Sequence, residues 1–275
     1  MKAMVLAAGL GTRLRPLTDT RPKALVEING RTLLEITLTR LRAFGVNEVI
    51  INVHHFADMV ADYLKSHNNF GMRIEISRED DLLLDTGGGL KKASWFFLED
   101  TRHSSLATLH SPPEPFFLHN VDVISTIDLQ RMLQFHNEQG ALATLAVQSR
   151  ESSRLLLFND KNKLVGRAPG GKMDNAATQE PAFSSNSPLV HPELRGATRH
   201  SPLPLAFCGI HIISPRLLPL LTEEGVFSII DAYLRLAAQG EKILAFHADE
   251  YYWRDLGRSA DLSQAAFDLQ QGVVG

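Results

Sequence analysis

Residues 7–16, Ala-Ala-Gly-Leu-Gly-Thr-Arg-Leu-Arg-Pro, set two glycines and an arginine directly behind a short apolar run. Glycine lets backbone N–H groups turn inward and approach a phosphate with no Cβ in the way. Arg13 adds a planar fork that matches phosphate oxygens. A second cation follows in Arg21-Pro22-Lys23-Ala24-Leu25, where Pro22 stiffens the backbone just before Lys23. A lone G-x-G is first of all a tight strand-to-helix turn. Joined to Arg13 and Lys23, it reads as a cradle for a polyphosphate, with Ala7, Ala8, Gly9, Gly11 and Thr12 lending backbone to the nucleotide. Two other phosphate loops fail on spacing. Leu14 stands where a dinucleotide fingerprint needs its third glycine, and no Gly-Lys-Ser/Thr follows as a Walker A loop requires.

Acidic residues supply the complementary chemistry. Asp122 ends the apolar run Phe117-Leu118-His119-Asn120-Val121, and Asp255 follows Tyr252-Trp253-Arg254. One such Asp caps a turn about as readily as it binds metal, but Mg²⁺ takes a couple of carboxylates and completes its shell with phosphate and water oxygens. Asp85-Thr86-Gly87-Gly88-Gly89-Leu90 is a second glycine-rich segment entering a helix, where close backbone approach and a helix N-terminus favour a polar ligand. Its bland reading is a flexible turn. Glu79 or Asp80, just upstream, can accept a base N–H, and each equally suits a solvated surface. His54 and His55 are adjacent at a strand end, so they point to opposite faces and cannot form one metal site. Cys208 lies in an apolar stretch with no base partner and reads as packing. No Ser-His-Asp constellation emerges.

These residues need elements to hold them. Met4 to Ala8 reads as a buried strand running into the first glycine loop. Leu34, Leu38 and Leu41 mark one face of a helix, with Gly45 at its end. Glu48 to Val53 is a β-branched strand, and Phe56, Val60, Tyr63 and Leu64 repeat at helical spacing. Further strands are expected at 72–76, 116–119, 142–147, 205–213 and 243–247. Helices are expected from Gly89, from Leu129 to Gly140, over 228–238, and after Ser259 as N-cap. Strands alternating with helices imply an α/β fold, a doubly wound and mostly parallel sheet whose ligands sit at the strand carboxyl ends. Residues 99–115 and 167–204 break the pattern and read as surface insertions.

AAGLGTRLRPLT followed by RPKALV resembles the signature G-x-G-T-R-x-x-P-L-T…P-K of the nucleotidyltransferases that make nucleotide sugars. The likeness covers most of the chain in element order. It implies a Rossmann-like sheet of the nucleotide-diphospho-sugar transferase type, with a small mixed sugar-binding portion. Residues 1–275 would form one domain, 1–150 its nucleotide-binding half and 151–275 its sugar-binding half with a C-terminal helix. It implies Mg²⁺ on Asp122 and Asp255, the latter in Trp253-Arg254-Asp255-Leu256-Gly257, similar to the family's W-x-D-x-G. Val121 departs from the family's usual Gly. Arg13 and Lys23 would be catalytic, Arg13 at the departing pyrophosphate and Lys23 at the α-phosphate. Glu79, Thr86, Gly87 and Gly88 would border the nucleotide. Asn120, Asp122 and Gly209, the last in a segment like the family's F-x-G-I, would border the sugar.

The expected reaction joins a nucleoside monophosphate to a sugar 1-phosphate and releases pyrophosphate. Asp85 to Gly89 resembles the E-T-G-G-G form of compact enzymes that uridylylate N-acetylmuramic acid 1-phosphate in cell-wall recycling, which favours UTP. The rival readings are a mannose- or heptose-1-phosphate guanylyltransferase, a choline-phosphate cytidylyltransferase, and a non-catalytic regulatory subunit that binds a nucleotide sugar. Family members often pair, so a homodimer stays open.

Composition narrows the partners. Twenty-eight basic against 31 acidic residues give a formal charge of −3, with no global field for nucleic acid or an anionic membrane. Any phosphate site must be local. With one cysteine no intrachain disulfide can form. The N-terminus lacks the long apolar core of a signal peptide, and no stretch approaches the ~20 apolar residues of a membrane span. A cytoplasmic protein is the expectation.

Overall fold

A computed structural model describes residues 1–98, 114–168 and 201–273. The insertions expected at 99–115 and 167–204 lie almost wholly outside them. The core is a sheet of nine strands among the described residues, ordered β10-β9-β11-β6-β1-β4-β5, with β8 on the other side of β11 and β12 beyond it. Here β1 is Lys2–Leu6, β4 Glu48–Val53, β5 Arg73–Arg78, β6 Phe116–Asn120 and β8 Ala143–Gln148. The later strands are β9 (Leu155–Phe158), β10 (Leu164–Arg167), β11 (Leu203–Ile213) and β12 (Ile243–His247). β1 runs parallel to β4 and β6, and β4 to β5. β11 enters antiparallel to β6, β8 and β9, so the second half is mixed. Two small ribbons lie outside this sheet: β2 (Glu27–Ile28) with β3 (Arg31–Thr32), and β7 (Val123–Ser125) with β13 (Trp253–Asp255).

Both faces are covered, as continuous apolar strands require. Ala3 and Val5 of β1 face one core, and Met4 and Leu6 face the other. The first core takes α1 (Leu33–Ala43), α2 (Ala57–Ser66), α5 (Leu129–Gln139) and α7 (Ser259–Gln270). The second takes α3 (Asp85–Lys92), α4 (Ser94–Leu98) and α6 (Ile229–Ala238). No helix among the described residues is long and apolar enough to cross a membrane.

Most strand limits shift by a residue or two, and three differences bear on the site or its caps. β1 ends at Leu6, because its ladder to β4 and β6 runs out there, and Ala7 and Ala8 belong to the loop. Ser259 is the first residue of α7, whose cap position is Arg258. The three glycines of residues 87–89 lie inside α3 and do not precede a helix. Ser228 caps α6 by accepting from Ile230 N–H, and Gly140, at φ 56°, closes α5.

The core also holds neutral histidines. His119 on β6, His211 on β11 and His136 on α5 are each at most 2% exposed. His211 Nδ1 pairs with the Tyr233 hydroxyl at 3.0 Å, and His136 Nδ1 with Thr144 Oγ1 at 2.9 Å. Burial pushes His119 and His211 down to about 3 and His136 to about 4. An unfolded histidine titrates near 6.5, so below that pH the unfolded chain binds more protons than the folded one. Stability is therefore present above about pH 6.5 and is lost as the pH falls, by on the order of 2 kcal/mol per histidine at about pH 5. Urea midpoints should drop steeply between about pH 7 and pH 5, above the ordinary carboxylate range. A flat midpoint over that window would contradict the neutral-core assignment.

Candidate active site

β1, β4 and β6 end side by side, and a cavity of about 540 Å³ opens at their carboxyl ends, lined there by Leu6, Asn52 and Asn120. Past Leu6 the chain leaves the sheet because Ala7 N–H donates to the Asn52 side-chain oxygen at 2.8 Å. Gly11 then takes φ 64°, and a Cβ there would stand 2.8 Å from Thr18 Cγ2. The amides of Gly9, Leu10 and Gly11 have no hydrogen-bond partner among the described residues, and all three residues line the cavity. Unpaired N–H groups beside open space suit an anion. Ala7, Ala8, Thr12 and Arg13 line the same wall.

Lys23 also lines the cavity, at 8% exposure, in a short 3₁₀ turn entered through Pro22. Its ammonium is bound to the Asp122 carboxylate. Asp122 and Asp255 are far apart in sequence and are brought together by one ribbon. Val123 of β7 pairs with Asp255 of β13, and Leu256 N–H donates to the Asp122 carbonyl at 2.8 Å. Arg40 of α1 anchors that ribbon, donating to Ser125 Oγ at 2.8 Å and to the Ile127 carbonyl. Burial lowers the Arg40 guanidinium to about 10. Val121, which stands where the family usually has Gly, is 4% exposed, packs in the core and also borders the cavity.

Burial first, and the Asp122 charge second, push the Asp255 carboxyl upward, against the pull of Lys23, Gly257 N–H and Arg13. Arg13 lies close by: a Cβ on Gly257 would fall 2.5 Å from its Nη2 and 2.6 Å from Asp255 Oδ1. Two neighbouring carboxylates, one paired with Lys23 and the other with Arg13 nearby, fit a divalent ion. No cluster of three or more His, Cys, Asp or Glu side chains suited to a metal occurs among the described residues. A zinc-type cage is thus missing there, while two carboxylates suffice for Mg²⁺ completed by phosphate and water.

Leu83, Asp85 and Thr86, which follow β5 on the far side of β1 from β6, line the cavity too, together with Val226. Asp85 sits at φ 59°, a left-handed conformation rarely adopted by L side chains. Glu79, expected near a base, is 1% exposed and faces inward. Its carboxylate accepts from Asn52 Nδ2 and from Leu84 N–H, both at 2.8 Å. Gly87 and Gly88 are off the cavity lining too, with both amides donating to the Phe227 carbonyl. Gly209 (φ 75°), expected to border the sugar, is off the cavity lining and stands behind Asn120, whose Nδ2 would lie 2.9 Å from an added Cβ. Cys208 is fully buried, as packing requires, and its carbonyl accepts from Trp253 Nε1 at 2.7 Å. Arg150, which the motifs did not flag, stacks over the Trp253 ring at 3.7 Å and donates to the Phe207 carbonyl.

Of the residues singled out in the sequence, Ala7, Ala8, Gly9, Gly11, Thr12, Arg13, Lys23, Thr86, Asn120 and Asp122 share this one cavity. Asp255 stands next to Asp122, just off the lining. Asp85, quoted with the glycine run though not assigned a role, lines the cavity as well. Asn52, Leu83 and Val226 were missed; they are placed there only by the fold.

Residues 2–155 match the family described as Nucleotidyl transferase. The N-acetylmuramate alpha-1-phosphate uridylyltransferase of Caulobacter vibrioides is 34% identical over 93% of this chain and 91% of its own. The mannose-1-phosphate guanyltransferase of Yarrowia lipolytica is 27% identical over 95% of this chain, which spans only 62% of that protein. Among solved structures, a UDP-glucose pyrophosphorylase complexed with UDP-glucose superposes with a TM-score of 0.68 at 17% identity, covering 98% of each chain.

Proposed function

The chain belongs to the nucleotidyl transferase family and is a sugar 1-phosphate nucleotidyltransferase; on that premise we propose that its donor is UTP and its acceptor N-acetylmuramic acid 1-phosphate. Near-full-length similarity to the Caulobacter uridylyltransferase carries this reading. It fits a cytoplasmic role in cell-wall recycling. The similarity to the Yarrowia guanyltransferase makes transfer of a guanylyl group to a mannose 1-phosphate the second reading.

An oxygen of the acceptor's phosphate attacks the α-phosphorus, the bond to the bridging oxygen breaks, and pyrophosphate leaves with the electron pair. A phosphate nucleophile is already ionised at neutral pH, so no general base is needed, and catalysis rests on positioning and charge neutralisation. The amides of Gly9, Leu10 and Gly11 cradle the triphosphate. Arg13 takes the departing pyrophosphate, and Lys23 the α-phosphate and the incoming phosphate. Asp122 and Asp255 would hold Mg²⁺, which when bound supplies charge neutralisation between the two substrates. Asn120 borders the sugar, and Gly209 sets its position from behind.

Lys23 is bound to Asp122, and Arg13 lies near Asp255, so each cation already faces a carboxylate of the site. Substrate binding then exchanges partners within a site already assembled. The test is pyrophosphate release over a matrix of UTP, GTP, CTP and dTTP against several sugar 1-phosphates with Mg²⁺. UTP with N-acetylmuramic acid 1-phosphate should give the highest kcat/KM. GTP with mannose 1-phosphate ranking first would replace this reading with the second.

A further inference from the structure

The glycines of α3 serve a packing purpose that its place in the cavity wall makes consequential. A Cβ on Gly87 would stand 2.3 Å from the Phe227 ring, and one on Gly88 would stand 2.4 Å from the Gly225 carbonyl oxygen. The helix is thus bare because another segment lies directly on it. That segment, residues 223–228, belongs to the acceptor half and leads into α6. It is fastened along its length. Gly87 and Gly88 N–H donate to the Phe227 carbonyl at 2.9 and 3.2 Å, and Phe227 N–H returns to the Leu84 carbonyl at 3.2 Å. Thr86 Oγ1 accepts from Ile229 N–H at 3.0 Å. Lys91 Nζ reaches the Glu223 carbonyl and the Glu224 carboxylate, each at 2.6 Å.

At the crest of this strap Val226 is 53% exposed, yet it lines the cavity with Leu83, Asp85 and Thr86. The unpaired loop amides, Arg13 and Lys23 line the part of the cavity that follows β1 and adjoins Asp122 after β6. Phosphates belong in that cationic part, since Asp85 would repel them. What remains for the part lined by Leu83 and Val226 is the uncharged, flat portion of the nucleotide. We propose that Val226 is a wall of the nucleobase subsite, so that a strap from the acceptor half sets which base is taken. This rests on reading the cavity as a nucleoside triphosphate site; it does not depend on which base or sugar is native.

The wall acts through shape. One methylene in an apolar pocket changes discrimination by roughly 10- to 200-fold. Binding of UTP and of GTP with Mg²⁺ and no acceptor should be measured for the wild type, Val226→Ala and Val226→Phe. Val226→Ala should shift the UTP-to-GTP affinity ratio about 10-fold toward the purine, and Val226→Phe should shift it the other way. Gly88→Ala, which drives a Cβ into the Gly225 carbonyl, should displace the strap and mimic Val226→Ala; thermal unfolding shows whether that variant is folded, and the two Val226 variants carry the test without it. Ratios within twofold of wild type in both Val226 variants overturn the proposal and leave the nucleotide site standing. Failure of the wild type to bind any nucleoside triphosphate overturns both. A wild-type preference for GTP removes the uridylyl reading alone, and the ratio must still move with Val226.

Discussion

Asp255→Asn lowers kcat by roughly 10²-fold or more, the size expected when a group that stabilises developing charge is removed. Asparagine keeps the volume and still offers an oxygen to Gly257 N–H, which reaches Asp255 Oδ1 at 2.6 Å. The ribbon pairing with Val123 is backbone and is untouched. What is lost is one of two neighbouring negative charges. Burial and Asp122 push the Asp255 carboxyl upward by more than Lys23, Gly257 N–H and Arg13 pull it down, so its negative charge is held at a cost. Removing one charge relieves it. Thermal stability without added metal should therefore hold or rise while turnover collapses, the trade expected where a site keeps strain for its chemistry. Parallel measurements of Tm in chelator and kcat at saturating Mg²⁺ separate the two effects. A kcat within threefold of wild type removes Asp255 from the machinery, and a large fall in Tm makes its role structural.

How much of this was legible in the sequence depends on the range of the forces involved. The strand–helix alternation was readable because periodicity and caps are local: β4, β12, α1 and α5 fall within a residue or a few of their expected limits. The short strands β7, β9, β10 and β13 were not, because three or four residues become a strand only when a distant partner fixes the register. The same logic divides the site. The glycine loop with Arg13 and Lys23 is one contiguous stretch with a strong pattern. Glu79 could not be placed from its neighbours, since its inward orientation comes from Asn52 and Leu84 N–H. Gly87 and Gly88 were legible as glycines demanding close approach. What approaches them is the strap, which lies more than a hundred residues downstream and is visible only in three dimensions.

Lys23→Ala should cut kcat/KM by roughly 10²- to 10³-fold, about 2.7–4 kcal/mol of transition-state stabilisation. The Lys23 ammonium is bound to Asp122, in a cavity wall where both side chains are mostly covered. The lysine thereby holds a carboxylate that the metal would use, and the alanine variant frees it. Affinity for Mn²⁺ in the absence of substrates should consequently rise in Lys23→Ala, while turnover falls. Those opposite signs distinguish a cation that changes partner from one that only braces the fold. Lys23→Arg supplies the contrast: it keeps the charge near Asp122 but replaces a compact ammonium with a broad planar fork. Its Mn²⁺ affinity should stay near wild type, and its kcat should recover only in part. Activity assays with Mg²⁺ and Mn²⁺ titrations of the substrate-free protein read the two quantities separately. If Lys23→Ala binds Mn²⁺ more weakly than wild type, the ion pair organises the metal site and does not compete with it. If its kcat/KM stays within threefold of wild type, Lys23 has no part in phosphoryl chemistry.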